Sequence, residues 1–110
     1  MKNNKYTFIK KDWGSELWLV NNKLYCAKIL TCNDEWSSDG RYHYHKKKDE
    51  TFIVIEGTIV LDIEGEEIIL KPLESYRIKP KIKHRFMGLP EGKILEISTH
   101  HEDSDTYYEK

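Results

Sequence analysis

The chain has 110 residues, 34% of them charged, with a formal net charge of -1 from 18 basic and 19 acidic side chains. That length fits a single domain with a modest core, over residues 1–110, and the near balance of charge offers no electrostatic basis for binding nucleic acid or a membrane. No apolar run is long enough to span a bilayer, and Met1-Lys2-Asn3-Asn4-Lys5 leads into no signal-like stretch; a cytoplasmic protein is expected, with Cys26 and Cys32 reduced and carrying no chemistry.

Along the chain the apolar period is two, not 3.6. Residues 1–12 read as an N-terminal strand or arm. Strands are then expected over residues 16–20, 25–30, 51–56, 58–64, 66–70, 75–78 and 93–99. Turn signals stand between them at Asn21-Asn22, Ser37-Ser38-Asp39-Gly40, Glu56-Gly57, Glu64-Gly65, Lys71-Pro72 and Pro90-Glu91-Gly92. No segment has the pattern of a helix, and residues 101–110 read as a C-terminal tail. Many short strands at regular spacing predict an all-β sandwich or barrel, and a sheet protein of this size gains by forming a homodimer.

The chemistry concentrates at His43-Tyr44-His45. Two His at i and i+2 of an extended strand project from one face, roughly 6.6 Å apart. Glu50 opens the next strand after the turn Lys46-Lys47-Lys48-Asp49, and a hairpin there would return its side chain to His45. His84 follows just beyond Lys79-Pro80. Three imidazoles and a carboxylate suit one divalent ion, Zn, Mn, Fe, Ni or Co, with positions left for substrate or water, and the spacing does not choose among them.

Strand parity nominates further residues. Arg41 shares the face of His43 and His45 and points inward if the strand begins that early; a buried guanidinium calls for an anion, such as a substrate carboxylate or phosphate. Glu96 lies between Ile94 and Ser98. Facing inward it is a general base or a partner that orients a His ligand, and facing outward it is a surface carboxylate. Lys28, alternating with Cys26 and Leu30, poses the same question as a substrate-binding residue. The run Lys46-Lys47-Lys48 either draws in an anion or is a solvated hairpin tip, and Asp49 and Glu50 directly after it favour the tip. His100-His101-Glu102-Asp103 either holds a second metal or crosses the surface. Trp13 and Trp18 either stack on a sugar ring or cap the core or a dimer interface.

Taken together, Gly40-Arg41-Tyr42-His43-Tyr44-His45, Glu50, Glu56-Gly57, and the stretch from Lys71-Pro72 through Pro80 to His84-Arg85-Phe86 resemble the two motifs of the cupin superfamily over residues 13–100. The resemblance implies a cupin-type double-stranded β-helix, or jelly roll, with His43, His45, Glu50 and His84 as metal ligands. Departures are Leu73 and Lys81, where the family usually has Gly in turns suited to positive φ, and Gly40, which sits closer to His43 than the pattern has it.

Tyr25-Cys26-Ala27-Lys28, the block 43–55, the stretch 74–78 ahead of His84-Arg85-Phe86, and Ile94-Leu95-Glu96-Ile97-Ser98 running into Glu102-Asp103-Ser104-Asp105 further resemble the cupin domain of type II mannose-6-phosphate isomerases and related small sugar isomerases, and the likeness of that tail points to sugars. Against that pattern, the loop from His45 to Glu50 is two residues longer, and Tyr107-Tyr108 stand where those isomerases carry an Arg. The resemblance implies an isomerase or epimerase acting on a sugar or sugar phosphate, with the metal as Lewis acid and Glu96 moving the proton. Alternatives are an Fe(II)-dependent dioxygenase and a non-catalytic carbohydrate-binding or sensor cupin.

Overall fold

A computed structural model describes residues 6–109. Its strands are β1 (Thr7–Lys11), β2 (Gly14–Asn21), β3 (Cys26–Cys32), β4 (Tyr42–His45), β5 (Glu50–Ile63), β6 (Glu66–Leu70), β7 (Ser75–Ile78), β8 (His84–Ser98) and β9 (Thr106–Glu109). Single 3-10 turns at Ser37–Gly40 and Asp103–Asp105 are the only helical segments among the described residues. None of these is long and apolar enough to cross a membrane. The expected N-terminal strand is present as β1, while residues 1–5 of that arm lie outside the described residues.

Two expected turns do not end strands. Glu56-Gly57 lies inside β5, and Pro90-Glu91-Gly92 lies inside β8. Gly57 and Gly92 face each other across these strands, between register shifts at Val54/Glu56 and Gly57/Ile59. Gly57 has φ +71°, and a Cβ there would stand 2.4 Å from the Glu91 carbonyl oxygen. The glycines are therefore bulges at which two long strands bend together from one sheet into the other, not turns that stop them.

The first half of β5 and the second half of β8 thus join β1, β2, β3 and β7, whereas their other halves join β4, β9 and β6. The two curved sheets enclose a core of Trp13, Leu30, Val54, Ile59, Leu61, Phe86 and Ile94. Strict alternation in β3, with Cys26, Lys28, Leu30 and Cys32 buried, makes one face of the sheet interior. Each of the large apolar side chains taken fully from water contributes roughly 1.5–3 kcal/mol.

Register then decides what else lies inside. Glu16, Leu30, Ile94 and Val54 form one inward row across β2, β3, β8 and β5. The next row is Trp18, Lys28, Glu96 and Phe52, and the one beyond it places Cys26, Ser98, Glu50 and Ile78 side by side. Polar residues therefore enter the interior in each of these three rows. On the opposite, outer face Phe8, Leu17, Ile29, Leu95 and Ile53 stand in one row across five strands.

Candidate metal centre and its cavity

His43 and His45 face inward from β4, and His43 is the direct cross-strand partner of His84 on β8. The rings of His43 and His84 lie 4.1 Å apart, and His43, His45 and His84 each bring a ligand nitrogen within 4.8 Å of the other two. Glu50 Oε2 stands 3.4 Å from His45 Nε2 and 3.2 Å from His84 Nε2. The hairpin expected between β4 and β5 does not form. β4 pairs with β8 and β9 instead, and Glu50 reaches the histidines across the barrel from its place between Ser98 and Ile78.

The outer hydrogen bonds orient the rings. His45 Nδ1 donates to the Asp105 carbonyl oxygen (3.1 Å) and His84 Nδ1 donates to that of Ile82 (2.9 Å), which leaves both Nε2 lone pairs directed inward. Burial, followed by the neighbouring His84, pushes His43 well below the usual imidazole range. Burial likewise lowers His45 to about 4, so both rings are neutral and able to ligate at neutral pH. At Glu50 burial works against ionisation, but the Lys48 ammonium outweighs it and holds the carboxyl well below its ordinary range.

These side chains fit a divalent ion. His43 Nδ1, Glu50 Oε2 and His84 Nε2 are buried with no hydrogen-bond partner, a costly arrangement that a cation among them would relieve. Three neutral imidazoles with one carboxylate are a donor set that borderline divalent metals accept.

Beside the cluster opens a cavity of about 340 Å³. Its wall carries Glu96, Lys28, Lys48, Glu16, Trp18 and His101. Glu96 is buried and faces inward, as parity allowed, and its Oε2 accepts a 2.9 Å hydrogen bond from Lys48 Nζ. Burial, then the charge of Glu50, pushes the Glu96 carboxyl up despite Lys48. Lys28 is buried too, 3.5 Å from Glu16 Oε1 and 4.3 Å from the centre of the Trp18 ring. The Trp18 indole donates to Glu16 Oε1 (2.9 Å).

Arg41 does not join them. The positive-φ residues Ser38, Asp39 and Gly40 turn the chain before β4 begins at Tyr42. Arg41 donates from Nε to the Ser38 carbonyl and lies over the Tyr108 ring, outside the cavity wall. The solvated-tip reading of Lys46-Lys47-Lys48 holds for the first two only. Lys48 is 3% exposed, with Nζ 3.6 Å from Glu50 Oε1 and 3.1 Å from His101 Nδ1. The signal was present in the spacing, because Lys48 has the strand parity of Glu50.

The C-terminal residues are also more than a tail. His101 and Asp105 are buried, and β9 pairs along β4. Trp13 is a core residue, edge-on to Phe86 at 5.0 Å, and it lines the cavity together with Trp18. Cys26 and Cys32 are free and buried, as expected.

The fold is a small β-barrel with an imidazole cluster compatible with a metal ion at one end and a polar cavity beside it. Residues 35–97 match the cupin domain, more than half of the chain, and the protein belongs to the cupin family. Among curated proteins it is 30% identical over 115 aligned positions to D-lyxose ketol-isomerase of Cohnella laeviribosi, covering 80% of this chain and 63% of that one. It is 35% identical over 69 residues to an uncharacterized HTH-type transcriptional regulator of Bacillus subtilis, covering 60% of this chain and 29% of the regulator. The chain thus spans less than two thirds of either relative. Of solved structures, a Streptomyces nucleoside dehydratase superposes with a TM-score of 0.80 at 11% identity, covering 99% of this chain and 92% of that one. A cupin-2 domain protein of Shewanella frigidimarina superposes at 0.66 with 27% identity, covering 81% and 82%.

Proposed function

We propose that the protein is a metal-dependent aldose–ketose isomerase acting on a small, unphosphorylated sugar. The observation that carries this reading is the placement of Glu96, an inward carboxylate beside the imidazole cluster, held at one oxygen by Lys48 and raised toward the range useful for proton transfer. The likeness to a D-lyxose ketol-isomerase supports the reaction class.

A divalent ion held by His43, His45, Glu50 and His84 would supply Lewis acidity to a sugar carbonyl and its neighbouring hydroxyl. Glu96 takes the proton from C2 of the aldose and returns it to C1 while the C2 hydroxyl proton passes to the C1 oxygen, so that no proton is gained or lost overall. Lys48 fixes Glu96 Oε2 and leaves the other oxygen for this exchange. Trp18 offers an apolar surface to the carbon chain, and Lys28 and Glu16 offer hydrogen bonds to hydroxyls.

The lining charges favour a neutral substrate over a phosphate ester. Lys28 and Lys11 both lie against Glu16, at 3.5 and 3.9 Å, and Lys48 lies against Glu96 and Glu50. No arginine lines the cavity among the described residues. A phosphoryl group entering it finds each lining lysine already paired.

The test is metal content by plasma mass spectrometry for wild type, His43→Ala and His84→Ala. Near-stoichiometric metal in wild type and its loss from both variants is the expected result, and wild type that cannot be loaded overturns the reading. Oxygen uptake with iron and none with zinc would instead mark a dioxygenase. The likeness to a transcriptional regulator favours, as the second reading, a sensor that binds sugar without converting it; a bound sugar recovered unchanged after long incubation distinguishes it. We also propose a homodimer through the outer row Phe8, Leu17, Ile29, Leu95 and Ile53. Sedimentation of Leu95→Glu as a monomer, with wild type as a dimer, is the expected outcome.

A further inference from the structure

The segment that matches the family ends at residue 97, yet the chain returns to the candidate metal centre eight residues later. Asp105 is 5% exposed and makes a concentrated set of contacts. Its Oδ1 accepts the backbone N–H groups of Lys46 (3.0 Å) and Lys47 (3.2 Å), and its Oδ2 accepts those of Lys47 (3.1 Å) and Lys48 (3.1 Å). Its main-chain oxygen accepts His45 Nδ1–H (3.1 Å). One residue thus satisfies three consecutive amides of the turn between His45 and Glu50 and also orients the ring of His45.

That turn has its own positioning task. It ends at Lys48, whose ammonium lies against both Glu50 and Glu96, and two residues later it delivers Glu50 to the histidines. The four-residue turn between His45 and Glu50 has conformations to lose when the ligands are brought into place, and a carboxylate gripping three successive amides removes that freedom. The attachment of β9 does not depend on Asp105: four cross-strand pairs with β4 and an ion pair between Lys83 and Glu109 hold it.

We infer that Asp105 is a positioning residue of the metal centre, setting the His45 ring and the Lys46-Lys47-Lys48 turn together so that the donors are preorganised for a divalent ion. This rests on the metal reading above. Partners of metal ligands of this kind are worth roughly 10–100-fold in affinity.

The test replaces Asp105→Asn, which keeps size and main-chain oxygen but turns an NH2 against amide donors. The dissociation constants for zinc and manganese, from competition with a chromophoric chelator, are expected to rise about 10–100-fold. The metal-induced increase in Tm should shrink accordingly, while the chelated variant still melts cooperatively. A folded Asp105→Asn with wild-type metal affinity and a wild-type metal-induced increase overturns the inference and leaves the metal reading intact. Wild type that binds neither metal overturns both. Amide exchange in wild type guards against a variant that does not fold: the amides of Lys46, Lys47 and Lys48 should exchange slowly and slow further with zinc, and exchange that zinc leaves unchanged contradicts the coupling.

Discussion

Replacing Lys48→Met removes an interior charge while keeping most of the side chain's length and volume. In the native protein the Lys48 ammonium lies 2.9 Å from Glu96 Oε2 and 3.6 Å from Glu50 Oε1. At an effective dielectric constant near 20 those attractions are worth about 6 and about 5 kcal/mol. The cost of burying the ammonium, several kcal/mol, no longer applies in the variant and offsets much of that loss. What remains is two buried carboxylates with no cation between them, and removal of one partner from such a group costs roughly 3–5 kcal/mol. In a domain of this size 1 kcal/mol moves Tm by roughly 4 °C, so chelator-treated Lys48→Met should melt about 12–20 °C below chelator-treated wild type at pH 7. Calorimetry makes the comparison. A metal ion beside Glu50 supplies positive charge to the same cluster, and zinc should restore part of the deficit. Chelated Lys48→Met melting within about 4 °C of wild type would refute an interior Lys48 held by both carboxylates.

Three other outcomes follow from the same geometry. Glu96→Gln should lower kcat by roughly 10²–10⁴-fold while metal content and sugar affinity stay at wild-type values, and a parallel loss of metal would make Glu96 a support for the ligands instead of the base. Burial pushes the Cys32 thiol up to about 12 and raises Cys26 as well, so iodoacetamide at pH 8 should label neither cysteine in the native protein and both in urea, read by mass spectrometry; rapid native labelling would contradict their burial. Leu73 has φ 72° and a side chain 84% exposed, so Leu73→Gly relieves a left-handed backbone without emptying the core. The relief of roughly 1–2 kcal/mol exceeds the roughly 0.5–1 kcal/mol of added chain entropy, and Tm should rise by a few degrees; a fall would show that the leucine packs better than its exposure indicates.

The central cluster was legible because a period of two needs no tertiary information: His43 and His45 share a face in any strand. Positive φ at Leu73 and Lys81 was legible for a similar reason, since turn chemistry is local. Glu96 and Lys28 could not be resolved by parity alone, because bulges lie upstream, and only the pairing of Lys28 with Glu96 across β3 and β8 places both inside. Gly57 and Gly92 read as turns because a bulge and a turn ask the same conformational freedom of glycine, and the difference lies in the strand opposite. Arg41 had the parity of a cavity residue, but the strand that parity presumes starts one residue later. Lys48 read as part of a solvated hairpin tip because Asp49 and Glu50 follow it directly, although its parity with Glu50 is that of an inward residue. Asp105 stood in an acidic tail that the sequence marks as rich in possible ligands, but its grip on the Lys46-Lys47-Lys48 turn was not legible, since its partners lie 57 to 60 residues away in the sequence.

The most direct test of the isomerase reading is proton NMR of unphosphorylated aldopentoses incubated in D2O without oxygen, using chelated protein and the same protein reloaded with zinc or manganese. The account predicts conversion of an aldose to its ketose by the reloaded protein, deuterium entering at C1, and no conversion by the chelated protein. Conversion that survives complete chelation, or a metal-loaded protein that leaves each aldose unchanged, would contradict it.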